Sequence, residues 1–481
     1  MKTAQHTVEK IGGTSISDYT SVRDNIILKG QPAVDHFNRV FVVSAYSGIT
    51  NRLLEHKKNG QPGIYGLFAE SMQSEGWKSA IADLRTEMKR LNAGLFAGSD
   101  SLEEADGFIE QRIDDAEGCL DGLLLLCGHG HFELGAHLET VREMLASLGE
   151  AHSAWNTARL LNEDGIAARF VDLTGWQTQR HISLDERIKE AFADLDLSRE
   201  FPIVTGYAHS QRGLMKSFNR GYSEMTFSRI AVLTNAREAI IHKEFHLSSG
   251  DPSIVGIENA VPIGRTNYDV ADQLANLGME AIHPRAAKGL RKNDIALVVK
   301  NTFEPQHPGT LITTGYTRES PQVEIITGCT GIYAFTLFDQ DIAGNFHEYD
   351  QDIVETIQQC KAHIVSKGVN ANTITHYINA NLQTIKRIRC LLLKRYPDAE
   401  IDQQRVAFVS AIGSNMTIPG IMARATGALS ANNINILATG QSMRQVDMNF
   451  IVAESDYKAT IRSLHKVLIE EVGVPPLGGR V

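Results

Sequence analysis

A short apolar run that ends on two glycines constrains this chain more than any other feature: Val8-Glu9-Lys10-Ile11-Gly12-Gly13-Thr14-Ser15. Lys10 stands just before the glycines, and the hydroxyls of Thr14 and Ser15 follow them. Glycines leave backbone N–H groups uncovered and close to any bound anion. The hydroxyls add donors or cap a following helix, and the lysine supplies a mobile point charge. Those residue types make a phosphate cradle. The order Lys-x-Gly-Gly-Thr-Ser is not that of a Walker A loop, GxxxxGK[ST]. An ordinary Gly-Gly turn between a strand and a helix fits the octapeptide equally well.

The rest of the chain predicts an α/β fold. Buried strands are expected at Phe41–Ser44, Ala168–Val171, Phe201–Tyr207, Ala239–His242 and Ile295–Val299, and the character of the chain changes after Thr310–Ile312. Between them the apolar spacing is helical, over about 52–148 and again over Ala151–Asn162. Strands alternating with helices imply a mostly parallel sheet with helices on both faces. Thr313–Gln322 is rich in Thr, Gly and Pro and reads as a linker. Two smaller, similar β-α-β regions follow, starting at Val323 and at Arg405.

At 481 residues the chain is long enough for several domains and a large core. A net charge of −10 with no basic stripe argues against a nucleic-acid partner. The five cysteines are scattered and form no CxxC pair, which suits free thiols in a reducing compartment. Met1–Thr7 lacks the apolar core of a secretory signal, and stretches such as Leu123–Leu126 are too short to span a bilayer. The expected location is the cytoplasm, with no membrane partner.

Five further segments carry chemistry-bearing residues. Ser44-Ala45-Tyr46-Ser47-Gly48-Ile49-Thr50-Asn51 is a hydroxyl-rich turn after a strand, where α/β sheets bind ligands, or else a helix cap. Gly149-Glu150 with Ser153 puts a carboxylate on a helix, to hold an ammonium group or to complement the helix N-terminus. In Arg220-Gly221-Tyr222-Ser223-Glu224, the Arg220 fork matches a carboxylate, while Ser223 also suits an N-cap. Ser248-Ser249-Gly250-Asp251-Pro252 is a turn by composition. His283-Pro284, after Gly278, reads as a helix terminator.

Taken together and in this order, these segments resemble the aspartokinases of the amino-acid kinase superfamily. Lys10–Ser15 looks like KxGGTS, and Val42–Asn51 like VVSAxxGxTN. Gly149-Glu150 with Ser153 looks like GE-x-x-S, Arg220–Glu224 like RGGSD and Gly278–Pro284 like GAKVLHP. The resemblance covers nearly the whole chain and is nearest the ectoine-associated aspartokinases, on Asp172–Trp176, Arg220–Arg229 and His242–Ser249. It implies a three-layer α/β/α amino-acid kinase domain over 1–312, with a helical insertion at about 52–148. Two ferredoxin-like ACT modules would follow, at 323–400 and 405–475. The second carries Ile412–Met416, Pro419–Arg424 and Asn433–Ile436. The first departs from the pattern at Ala343–Glu348.

The resemblance also implies a reaction: ATP-dependent phosphorylation of the L-aspartate side-chain carboxylate, with Mg²⁺ on the ATP phosphates and no dedicated protein metal site. Lys10 and Glu224 would be catalytic. Lys10, Gly12, Gly13, Thr14, Ser15, His242, Lys243 and Asp251 would bind ATP and its phosphates. Ser44, Thr50, Glu150, Arg220 and Ser223 would bind aspartate. Departures from the family pattern are Glu224 for Asp, Tyr222 for Gly and Glu280 for Lys. An amino-acid effector at the ACT modules, a homodimer and a monofunctional enzyme complete the expectation. The competing readings are another amino-acid kinase, acting on glutamate or acetylglutamate, and a catalytically silent amino-acid sensor.

Overall fold

A computed structural model describes residues 6–29, 37–56, 60–70, 76–178, 180–211, 213–217, 221–279 and 281–471. The chain forms two compact units, Met1–His246 with Ile282–Thr314, and Leu247–Ala281 with Gly315–Val481.

The first unit is built on strands β1 (Thr7–Ile11), β2 (Arg39–Val43), β3 (Ala168–Val171), β4 (Phe201–Thr205) and β5 (Glu238–Lys243). β6 (Arg265–Asn267) belongs to the second unit; β7 (Ala296–Asn301) and β8 (Thr310–Thr313) complete the first. Their order is β3-β4-β2-β1-β5-β7-β8, parallel except for β8. β1 is central, and its residues Val8, Glu9 and Ile11 are fully buried. That is the situation of a parallel strand covered on both faces.

Pleat parity sorts the two faces. Glu9, Phe41 and Ile203 line one face with the helix Leu138–Glu163 and the segment Val22–Leu28. Val8 and Lys10 line the other, on which the helix Tyr222–Leu233 packs. The expected 52–148 insertion appears as helices Ile64–Glu70, Gly76–Leu95 and Ser101–Cys127 and the first half of Leu138–Glu163. The helix expected at Ala151–Asn162 is the second half of that last element.

The second unit corrects the sequence-based boundaries. Its strands β9 (Ile325–Phe338), β10 (His363–Asn370), β11 (Thr373–Asn379), β12 (Glu400–Ile412), β13 (Ile436–Gln441) and β14 (Asp447–Ala453) form one antiparallel sheet. The order is β10-β11-β9-β12-β14-β13. β9 and β12 pair along their whole length, with an irregularity between Val406 and Phe408. The later half of β9, with β10, β11 and the early half of β12, makes the first ferredoxin-like module around Phe335, Leu337, Ile374 and Ile385. The early half of β9 closes the second module beside Ala407, Val409, Phe450 and Ile461. The modules therefore interleave and do not lie end to end at 323–400 and 405–475. Segment 247–281, expected in the first domain, packs through Leu247, Val270 and Leu274 against Ile325, Phe408 and Ile451.

Inside the helix Ile342–Gln359, Asn345 leaves helical geometry at φ −129° and ψ 28°, within the stretch that departs from the ACT pattern. A fragment spanning 405–471 lacks the β9 edge of its own module. It is expected to show no cooperative thermal transition by circular dichroism. A sharp melt from that fragment would contradict the shared-strand arrangement.

Candidate active site

The site lies where β1, β2, β4 and β5 end. At the end of β1 the Gly12 N–H donates to the His242 carbonyl at 3.2 Å. A Cβ on Gly13 would stand 2.7 Å from the Ala45 carbonyl oxygen, so a side chain there would push the turn after β2 away. Ser17 ties the two turns together: its Oγ donates to the Gly13 carbonyl at 2.8 Å and accepts from the Ser47 N–H at 2.9 Å. The sequence reading missed Ser17, since its partner lies in a separate turn. The cradle is thus a pair of strand ends brought too close for side chains.

Lys10 projects from the helix Tyr222–Leu233 side of β1, with its Nζ 3.4 Å from Glu224 Oε1. Glu224 Oε2 accepts the His283 backbone N–H at 2.5 Å. His283 opens the helix Pro284–Lys292 as its N-cap, where a helix terminator was expected. Lys10 pairs in register with Ile241, so Lys243, two residues on, shares its face. Burial alone would raise the Glu224 carboxyl. Lys10, Lys243 and the His283 N–H outweigh it and hold the group below its ordinary pKa.

Glu150 is the other acid of the cleft. Its Oε1 accepts the Ser223 hydroxyl at 2.8 Å, while its Oε2 is buried with no hydrogen-bond partner. Burial pushes this carboxyl up to about 8, against the pull of Ser223, Lys10 and the N–H groups of Tyr207 and Ala45. Gly206, just past β4, makes room for it: a Cβ there would meet Glu150 Oε2 at 2.8 Å and the Val43 carbonyl at 2.7 Å. Ser153, one turn on, donates to the Ser44 carbonyl at 2.9 Å and so fixes the helix against the turn after β2.

The sequence-predicted residues therefore divide. The structure gathers Lys10, Gly12, Gly13, Lys243, Glu150, Ser223 and Glu224 around one cleft, with Ser44 in the adjoining turn. Thr50 sits in the helix Ile49–Leu53, where its carbonyl takes the Leu54 N–H. Thr14 is exposed, 3.4 Å from Glu244. Ser15 is fully buried and bonds Thr302 at 2.8 Å, so its hydroxyl supports the turn from behind. His242 is turned away, for parity puts its ring on the Glu9 face, 2.7 Å from Glu9 Oε2. Asp251 falls in the second unit, where it caps Pro252–Val255 by accepting the Ser253 N–H. Arg220 lies outside the described residues.

The parallel α/β unit and the antiparallel sheet agree with the comparisons to known proteins. Residues 5–301 match the amino acid kinase family and 409–468 an ACT domain. Aspartate kinase Ask_Ect of Stutzerimonas stutzeri (strain A1501) is 51% identical over 97% of this chain and 98% of that protein. Among solved structures, Escherichia coli aspartokinase III with lysine and aspartate superposes with a TM-score of 0.70 at 18% identity. The alignment covers 96% of this chain and 99% of that one. The same enzyme with aspartate and ADP gives 0.70 at 17%, covering 96% and 100%. The chain belongs to the amino acid kinase family. Within that family it falls among the aspartate kinases that carry ACT domains.

Gly206→Ala tests the clearance around Glu150. The added methyl must displace the Glu150 carboxylate or the β2 carbonyl. The variant should lose about 1–3 kcal/mol of stability by denaturant titration, as overpacked sites do. Its KM for the amino-acid substrate should rise at least tenfold, by the misplacement of a binding group.

Proposed function

We propose that this chain transfers the γ-phosphoryl group of ATP to the side-chain carboxylate of L-aspartate, giving 4-phospho-L-aspartate and ADP. One observation carries the substrate assignment: a buried carboxylate oxygen of Glu150 lacks a partner beside the Lys10–Glu224 pair. An α-ammonium group supplies the missing donor and offsets the cost of ionising Glu150. The Ser223 hydroxyl, already given to Glu150, orients that acid; the α-carboxylate falls to Arg220. Ser44 and Thr50 sit in the segment that would border the substrate.

The chemistry needs no general base. An aspartate side chain, with an ordinary pKa near ~3.9, is already an ionised nucleophile at neutral pH. One of its oxygens attacks the γ-phosphorus, the bond to the β–γ bridging oxygen breaks, and ADP leaves with that electron pair. Positioning and charge neutralisation supply the catalysis. Lys10 would neutralise the moving phosphoryl group, and Glu224, held ionised, would hold the Lys10 ammonium in place. Gly12 and Gly13 would cradle phosphate oxygens, with Lys243 and Thr14 on the nucleotide side. The cleft offers lysines, glycines and two acids, of which Glu224 is paired with Lys10 and Glu150 is taken by the α-ammonium group in this reading. That set suits a Mg²⁺ ion held by nucleotide phosphates and water and not by a protein cage. When bound, the ion neutralises the phosphate oxygens.

Aspartokinase III forms a complex with lysine, and an amino-acid effector at the ACT modules is the matching proposal here. The name Ask_Ect and the shared motifs support a place in ectoine supply. A homodimer fits a sheet with two free edges among the described strands, β10 and β13. Five free cysteines suit the cytoplasm. Among the described residues no helix is long and apolar enough to cross a membrane.

A hydroxamate assay with ATP and Mg²⁺ should give product with aspartate and none with glutamate or acetylglutamate. Product absent with aspartate, in a protein that aspartate still stabilises against heat, would overturn the kinase reading. Lys10→Ala should lower kcat by about 10³-fold or more, the scale of losing a charge-stabilising group. The variant should still fold and melt cooperatively, because Glu224 keeps Lys243 and the His283 N–H.

Glu150 generates a pH prediction. Its folded-state pKa, about 8, lies above the unfolded value of 4.5. The folded chain therefore binds the extra proton, and stability falls as pH rises from 4.5 towards 8. Glu150→Gln should remove that loss. The ligand-free variant should be more stable than wild type at pH 8 by roughly a few kcal/mol and equal near pH 4.5. The wild-type KM for aspartate should fall as pH rises from 6 to 8, with a proton released on binding. Calorimetry in buffers of different ionisation enthalpy reads that proton.

A further inference from the structure

Behind the cradle, on the opposite face of the same strands, is a buried ionic network that the phosphoryl-transfer reading leaves unused. Glu9 is fully buried in the middle of β1, where a parallel strand ordinarily carries an apolar side chain. Its carboxylate takes four bonds. Arg39 on β2 donates Nε to Oε1 at 2.6 Å and Nη2 to Oε2 at 2.8 Å. Thr7 donates to Oε1 at 2.9 Å, and His242 on β5 lies 2.7 Å from Oε2 through Nε2. An ionised carboxylate only accepts, so the His242 tautomer carries its proton on Nε2. Arg39 is itself completed by the carbonyls of Ile26 at 2.7 Å and Ile27 at 2.9 Å, and its guanidinium stacks on Phe41 at 4.7 Å.

Stability alone does not account for such a network. Replacing a buried, fully partnered ion group by apolar side chains of similar volume is commonly neutral or stabilising. What the network does is geometric. It joins β2, β1 and β5, the three central strands, at the residues immediately before Lys10 and Lys243. Successive residues point to opposite faces, so Glu9 and His242 face the network while Lys10 and Lys243 face the cleft. A slip or splay of β5 against β1 would move the two lysines relative to each other. The Glu9–His242 bond crosses that seam directly.

We propose that Glu9 and His242 are positioning residues: their bond across the β1–β5 seam sets the spacing of Lys10 and Lys243 around the ATP phosphates. The inference rests on the aspartate kinase reading of the cleft. It extends the site to residues that touch neither substrate. Arg39 holds Glu9 ionised, Thr7 helps hold it in place, and the carbonyls of Ile26 and Ile27 fix Arg39.

The test is kinetic, on the full-length enzyme. His242→Val removes the seam bond and leaves the Glu9–Arg39 pair intact. It should melt cooperatively, lose about 10–100-fold in kcat through misplaced cations, and raise KM for ATP severalfold. KM for aspartate should stay within twofold, because Glu150 and Ser223 stand on other elements. His242→Gln, whose amide can donate to Glu9, should recover most of the kcat. A folded His242→Val enzyme with wild-type kcat and KM for ATP overturns the proposal. So does equal loss in His242→Val and His242→Gln, the signature of a packing role only. Should His242→Val not fold, the triple variant Glu9→Val/Arg39→Met/His242→Val removes all three polar groups without leaving a lone charge. Wild-type kinetics from it overturn the proposal, and low kcat with a normal melt supports it. Absence of aspartate kinase activity in the wild type strikes at the functional reading instead, so the two failures are distinguishable.

Discussion

Lys10 sits between two buried carboxylates, and the charge balance of the cleft depends on that cation. Glu224 is almost wholly buried, yet it stays ionised because Lys10, Lys243 and the His283 N–H face it. Glu150 also feels Lys10, but it keeps one oxygen unpartnered and is pushed by burial towards the neutral form. Burial and the set of partners thus divide two chemically similar acids into a fixed counter-ion and a group that waits for a ligand. Removing the cation would leave both acids buried without it.

The clearances in this site are set largely by glycines packed against neighbouring segments. Gly13 lies against the Ala45 carbonyl and Gly206 against the Val43 carbonyl, at distances no Cβ tolerates. Gly149 does the same for the helix bearing Glu150, where a Cβ would stand 2.8 Å from that of Ala45. Each glycine lets one chain segment approach a strand end closely enough to deliver a functional group. The cleft is a product of close-packed main chain, and its polar groups inherit that rigidity.

Much of this was readable from residue order. Every strand expected in the first unit is present, because buried parallel strands are short apolar runs closed by glycine or polar turns. Lys10, Glu150, Ser223 and Glu224, which the structure brings together, each stand in a segment with its own local signature. What the sequence does not carry is which way a side chain points. Lys243 and His242 are adjacent in a strand, and only the register with β1 sends one to the cleft and the other to Glu9. Ser15 and Thr14 differ in the same way, one bonded to Thr302 behind the turn and one exposed. The interleaved ACT modules were hidden for another reason. A strand of fourteen residues, β9, reads as one element, and nothing local says that its two halves belong to different cores.

Glu9 and Glu150 show how partner counting separates scaffold from site. Both are fully buried glutamates of the same unit. Glu9 has both oxygens filled twice over, by Arg39, Thr7 and His242, and its pKa falls well below the ordinary range because Arg39 and His242 outweigh burial. On Glu150 the Ser223 hydroxyl, Lys10 and the N–H groups of Tyr207 and Ala45 pull the other way, and burial still wins. A native interior rarely leaves a polar atom unpaired, because the cost is that of a lost hydrogen bond in a medium without water. An acid that carries such a vacancy beside a cradle for anions is unfinished until a cation arrives. The completed acid one sheet-face away needs nothing more, so any contribution it makes is to where its neighbours stand.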